Sequence, residues 1–226
     1  MYISAKVFAT RPDNVDRYAD LNASLASGPR TSPLVVLFGD SRIAFWSPGL
    51  DLRSSARIAN RGIEGETTEQ MSLRFENDVL ALRPNVVVIQ AGINDLVGAS
   101  LARGDVRNAI VERCVANLTG FAQRAAGRGI DVVLLTIIPP ARPPLYRWLV
   151  WDSAIWDIVD SVNDRIASAA SDGHVSVVDS RAALMSNGSW NPGVTRDTLH
   201  LAAAGYVRLN EMLAPKIDDL LAHAVQ

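Results

Sequence analysis

The run Leu34-Val35-Val36-Leu37-Phe38 is apolar throughout and stops abruptly in Gly39-Asp40-Ser41, and it restricts the possible folds more than any other stretch. It has no polar face to turn to water, so it reads as a strand buried on both sides. Gly-Asp-Ser is turn chemistry, which leaves Ser41 at the rim of a sheet. Val86-Val87-Val88-Ile89 and Val132-Val133-Leu134-Leu135-Thr136-Ile137-Ile138 repeat the pattern, and Arg57-Ile58-Ala59-Asn60-Arg61 and Val175-Ser176-Val177-Val178-Asp179 are two further strand candidates. Helical stretches are expected before the first strand over residues 14–25 and between strands over 68–82, 105–127 and 153–170, with a last helix after His200 interrupted or restarted at Pro215. Thr67 and Gln70 have capping-box spacing at the second of these. Strands alternating with helices in this way imply βαβ units, right-handed crossovers and a three-layer α/β/α sandwich around a parallel sheet.

With 226 residues and no Pro/Gly/Ser-rich linker, the chain reads as one α/β domain over residues 1–226, the first 30 forming an extension packed on it. Charge is nearly balanced at −2 and the cations are scattered. That balance implies neither nucleic acid nor an anionic membrane as partner. No stretch reaches the roughly 18 apolar residues of a transmembrane segment, and Met1-Tyr2-Ile3-Ser4-Ala5-Lys6 does not look like an export signal, so the expected location is the cytoplasm. The single cysteine, Cys114, lies on an amphipathic stripe and reads as core.

In a parallel sheet, the loops leaving the strands' carboxyl ends open on one edge. Four such loops carry reactive or hydrogen-bonding groups: Ser41, Gly62, Asn94, and Asp197 with His200. A serine hydroxyl needs a base to become a nucleophile, and histidine suits that task. Of the three histidines, His174 precedes a strand at the opposite edge and His223 is almost terminal, which leaves His200. Asp197 stands three residues before it, and a helical turn there would let the carboxylate accept the imidazole Nδ1 proton. The Ser41 and Gly62 N–H groups and the Asn94 amide could donate to the oxyanion of a tetrahedral intermediate.

In order and spacing, Gly39-Asp40-Ser41, Asn60-Arg61-Gly62, Gly92-Ile93-Asn94-Asp95 and Asp197-Thr198-Leu199-His200 resemble the sequence blocks of the SGNH hydrolases, the GDSL esterase/lipase family. The resemblance implies a flavodoxin-like five-stranded sheet of order 2-1-3-4-5, a Ser41/Asp197/His200 triad, an oxyanion hole of Ser41, Gly62 and Asn94, an ester substrate, and no metal or organic cofactor. Arg42 stands where the family name-motif has leucine and puts a cation beside the nucleophile. The family includes lipases, thioesterases, carbohydrate acetylesterases and acetylhydrolases, so the resemblance does not choose a substrate; the activity expected is that of a serine esterase, with short acyl groups such as carbohydrate or small-molecule acetyl esters favoured. An acyltransferase on the same site and a non-catalytic carbohydrate-binding module are the alternatives.

Candidates for substrate contact are Arg42, Trp148, Trp151 and Trp190. The two tryptophans after the fourth strand suit an aromatic wall or core packing equally. Trp190 could line the pocket or pin the loop before Asp197. Arg42, Glu64 and Glu66 ring the site or form exposed polar contacts. Gly98-Ala99-Ser100-Leu101-Ala102 lacks the last glycine of a nucleophile elbow, and neither a dinucleotide fingerprint nor a P-loop occurs.

Overall fold

The apolar runs form the centre of a five-stranded parallel sheet. In the computed structural model, which describes residues 14–29, 31–142, 153–168 and 173–223, the strands are β1 (Leu34–Gly39), β2 (Arg57–Gly62), β3 (Val86–Gln90), β4 (Asp131–Leu135) and β5 (Val175–Val178). Their order is β2-β1-β3-β4-β5 and every pairing is parallel, with Val36 opposite Ala59 on one side and Val87 on the other. This is the topology that the sequence resemblance implied.

Successive residues of a strand point to opposite faces, and each face has its own core. Val36, Phe38, Val87, Ile89, Val132 and Leu134 pack with Phe75, Leu118, Phe121 and Val159. Val35, Leu37, Val86, Val88, Val133 and Leu135 pack with Ile43, Trp46, Tyr206, Leu213 and Ile217. The first face is covered by α1 (Ala19–Ser27), α3 (Thr68–Ser72), α4 (Phe75–Asp78), α5 (Ile93–Leu101), α6 (Gly104–Ala126) and α7 (Ala154–Ser168). The second is covered by the one-turn α2 (Ser41–Ala44), α8 (Arg181–Leu184) and the long α9 (Ala203–His223). A hairpin of β6 (Met185–Ser186) and β7 (Ser189–Trp190) lies between α8 and α9 in the chain.

Several expectations need correction. The helix expected over 68–82 begins at Thr67 with the foreseen capping box, but it breaks into α3, α4 and a 3₁₀ turn at Leu80–Leu82. Its backbone bonds tighten to three-residue spacing just before Arg74, whose side chain is fully buried among polar partners. Conversely α9 runs unbroken through Pro215, because Leu209, Leu213, Ile217 and Leu221 form one buried stripe across it. That packing outweighs the hydrogen bond proline removes. The fourth strand stops at Leu135, earlier than its apolar run, because the Asn163 side chain takes over the backbone of Ile137, accepting from its N at 2.7 Å and donating to its O at 2.9 Å. Helix α5 was not anticipated at all, and it places Asn94 in a first helical turn.

Candidate active site

Ser41 opens α2 directly beyond β1, and the Asp40 side chain caps that turn by accepting from the Arg42 N at 2.9 Å. As in any helix, the first N–H groups find no intrahelical acceptor, so the Ser41 N–H stands beside its own hydroxyl as a donor. Burial pushes the Asp40 carboxyl up, against the opposing pull of Arg42.

His200 Nε2 lies 3.2 Å from Ser41 Oγ, and Nδ1 lies 2.9 and 3.0 Å from the two Asp197 oxygens. The chain thus joins residues 159 positions apart into one hydrogen-bonded relay. The helical turn expected for Asp197-x-x-His200 is absent. Instead Thr195 and Leu201 form an antiparallel bridge and the loop between them folds back on itself. Asp197 Oδ1 accepts from the backbone N–H of Leu199 and His200, both at 2.8 Å. Burial would raise this carboxyl, but the bonds from the His200 ring and these two N–H groups hold it down at about 2. Phe45 meets the His200 ring edge to face at a centroid distance of 5.4 Å. These contacts fix the imidazole with Nδ1 toward the carboxylate and Nε2 toward the hydroxyl.

The Asn94 Nδ2 donates to the Glu66 backbone O at 2.8 Å, keeping its second hydrogen available. Gly62 departs from its expected role. Its N–H already donates to Asn60 Oδ1 at 2.9 Å, and its carbonyl accepts from Tyr18 OH at 2.6 Å. A Cβ on Gly62 would stand 2.1 Å from the Ala44 N and 2.6 Å from the Ile43 C, so the glycine serves the close seating of α2 on β2. Three residues on, Gly65 has φ +74° with open space where a Cβ would be. It immediately precedes Glu66, the residue that holds Asn94, and no hydrogen bond of its N–H to a described residue is seen.

Arg74 binds this edge together. Its guanidinium reaches Glu66 and Asp78 at 2.7 and 2.8 Å, the Gly39 O at 3.1 Å and the Arg61 O at 3.0 Å. It thereby ties the strand end before Ser41 to the β2 end and to the Glu66 loop. Sequence reading passed over it, although helical spacing sets Arg74 beside Met71 and Asp78, a charge at the edge of an apolar stripe. Glu66 is buried in this ion pair and is not the exposed contact considered for it. Desolvation raises its carboxyl while Arg74 opposes the rise.

Arg42 also differs from expectation. It is 2% exposed, and its guanidinium donates to the Leu199 O at 3.0 Å and the Ile138 O at 2.5 Å, so it is a buried clamp and cannot reach bound substrate. Trp190 is partly buried in the hairpin and packs against the α9-side core. Trp148 and Trp151 lie outside the described residues. His174 pairs with Asp131 at 2.8 Å at the far edge of the sheet, and Cys114 is buried. Among the described residues no helix is long and apolar enough to cross a membrane, and no group of three or more His, Cys, Asp or Glu side chains is placed to hold a metal.

A parallel α/β sheet with a Ser–His–Asp relay at its carboxyl edge defines a class of serine-hydrolase folds, and comparison with known proteins narrows it. The GDSL-like lipase/acylhydrolase family, a family of hydrolases, matches residues 23–208, and the chain belongs to it. The structure is similar to that of a GDSL-like lipase from Bacteroides thetaiotaomicron, with a TM-score of 0.71 and 27% identity over 91% of this chain and 98% of that one. An uncharacterized lipoprotein of Bacillus subtilis is 39% identical over 87 residues, and an acetylxylan esterase of Geobacillus stearothermophilus is 45% identical over 40 residues. Those segments are 38% and 18% of this chain, and they span 35% and 18% of the relatives' own lengths.

Proposed function

We propose that this chain is a serine esterase that removes short acyl groups, acetyl above all, from carbohydrate or other small hydroxylated molecules through an acyl-Ser41 intermediate. The observation that carries the reading is the Ser41 Oγ–His200 Nε2–Nδ1–Asp197 relay, at 3.2 and 2.9 Å. His200 takes the Ser41 proton as Oγ attacks the ester carbonyl and returns it to the leaving alcohol. A water then attacks the acyl-serine by the same route in reverse. Asp197, ionised because its bonds hold it at about 2, fixes the tautomer and stabilises the transient imidazolium.

The developing oxyanion is held by the Ser41 N–H and the Asn94 Nδ2 hydrogen that Glu66 leaves available. With the Gly62 N–H committed to Asn60, the backbone donor from the second block is assigned to Gly65. The similarity of one segment to an acetylxylan esterase supports an acetyl substrate. The test is hydrolysis of chromogenic esters of increasing acyl length beside acetylated xylo-oligosaccharides, with wild type and Ser41→Ala. Highest kcat/KM on acetyl esters, abolished by Ser41→Ala, is expected; a maximum at long chains overturns the substrate, and activity surviving in a folded Ser41→Ala overturns the site.

A further inference from the structure

We infer that Arg42 is a positioning residue for the catalytic base, a clamp that holds the Asp197–His200 loop against the element carrying Ser41. The inference rests on the esterase reading above. Arg42 follows the nucleophile directly in the chain, so its backbone moves with Ser41. Its side chain grips the opposite half of the relay. Leu199 lies between Asp197 and His200; its N–H goes to Asp197 Oδ1 at 2.8 Å and its O accepts from Arg42 Nε at 3.0 Å. Leu199 is therefore held by the catalytic carboxylate through its N–H and by Arg42 through its carbonyl.

The anchorage extends on both sides. Arg42 Nη1 donates to the Ile138 O beyond β4, the Ala141 N donates to the Thr198 O, and the Tyr206 OH from α9 donates to the Arg42 O at 2.9 Å. The Arg42 guanidinium thus joins the loop to the β4 extension, and α9 is tied to the backbone of the same residue, which is 2% exposed. The need for it follows from the loop itself. The segment is neither helix nor strand apart from its closing bridge, so regular secondary structure does not set the distance from His200 to Ser41. That 3.2 Å separation depends on side chains that hold the loop in place, and a displacement of about 1 Å at such a contact is enough to cost about 10²-fold in rate. A leucine at position 42 has no donors for either carbonyl.

Three substitutions separate positioning from bulk stability: Arg42→Leu, Arg42→Gln, which keeps a neutral donor, and Arg42→Lys, which keeps one charged donor. With an acetyl ester, Arg42→Leu is expected to lower kcat about 10–10²-fold with KM changed less than about twofold, and Arg42→Lys and Arg42→Gln to recover part of the loss. In a His200→Ala background, Arg42→Leu is expected to have no further effect on the residual kcat, since the residue acts through the imidazole. Undiminished kcat in a folded Arg42→Leu, or a full additional loss in the His200→Ala background, overturns the inference. If no variant folds, the wild-type protein still decides: the Arg42 Nε–H NMR resonance is expected to exchange slowly with solvent, and a fast-exchanging one refutes the clamp. That signal needs no hydrolysis, so a failed esterase assignment and a failed clamp give different results.

Discussion

Replacing Arg74 by methionine keeps the bulk of the side chain and removes its charge and every donor. In the wild type this guanidinium is fully buried and holds two carboxylates that are themselves 2% and 1% exposed. The substitution strands both charges and also leaves the Gly39 and Arg61 carbonyls without their donor. Breaking a buried ion pair from one side costs about 3–5 kcal/mol. At about 2–4 °C per kcal/mol for a chain of this size, the melting temperature should fall by roughly 6–20 °C.

The loss should also depend on pH in a definite direction. Glu66 already titrates above its usual range because it is buried, and without Arg74 it rises further. The native variant then binds a proton that the unfolded chain has released, so its stability increases as the pH falls toward the unfolded carboxylate range. Thermal melting and urea unfolding, both followed by circular dichroism from pH 8 to pH 5, measure the two effects. A wild-type midpoint at neutral pH, or a deficit that widens in acid, refutes the role given to Arg74.

Asn94→Ala should lower kcat about 10²–10³-fold with a smaller change in KM, as loss of one oxyanion donor does; steady-state kinetics on an acetyl ester tests it. Asp197→Asn should lower kcat by about 10⁴ while leaving the fold intact, since an amide no longer enforces the productive tautomer, and the same assay with a melting curve checks it. Asp197, held at about 2, should stay ionised and cost no esterase activity in acid until the pH nears that value; a pH–rate profile that loses a step in the ordinary carboxylate range, abolished in Asp197→Asn, would contradict it. Asp95, fully buried against Thr68 and pushed up to about 6 by desolvation, should favour the native state by roughly 3 kcal/mol more below pH 4 than above pH 7, a difference that Asp95→Asn removes in paired unfolding titrations.

Local pattern and spacing revealed the strands and the relay because both are written in short segments. Leu34–Gly39 has no polar face, Ser41 and Asn94 follow strand ends that a parallel sheet gathers on one side, and Asp197 stands three residues before His200. What stayed hidden depends on partners far away in the chain. The sequence shows Arg42 beside the nucleophile and Arg74 at the edge of an apolar stripe, but their clamping roles appear only when the carbonyls they serve, 157 and 35 residues away at Leu199 and Gly39, are in view. The Asp197–His200 loop shows the same limit. Three-residue spacing correctly pairs the side chains, but it does not distinguish a helical turn from a loop closed by backbone bonds to the carboxylate. At Gly62 the motif marks a glycine that packing requires, while the bond from its N–H to Asn60 appears only in three dimensions.

The central claim is that Ser41 is the nucleophile that His200 activates. Its most direct test is intact-mass and peptide mapping after exposure to a small phosphonate ester that esterifies activated serines. The account predicts one adduct per chain on Ser41, formed in the wild type and lost in His200→Ala; an adduct elsewhere, or labelling of Ser41 at an undiminished rate without His200, would contradict it.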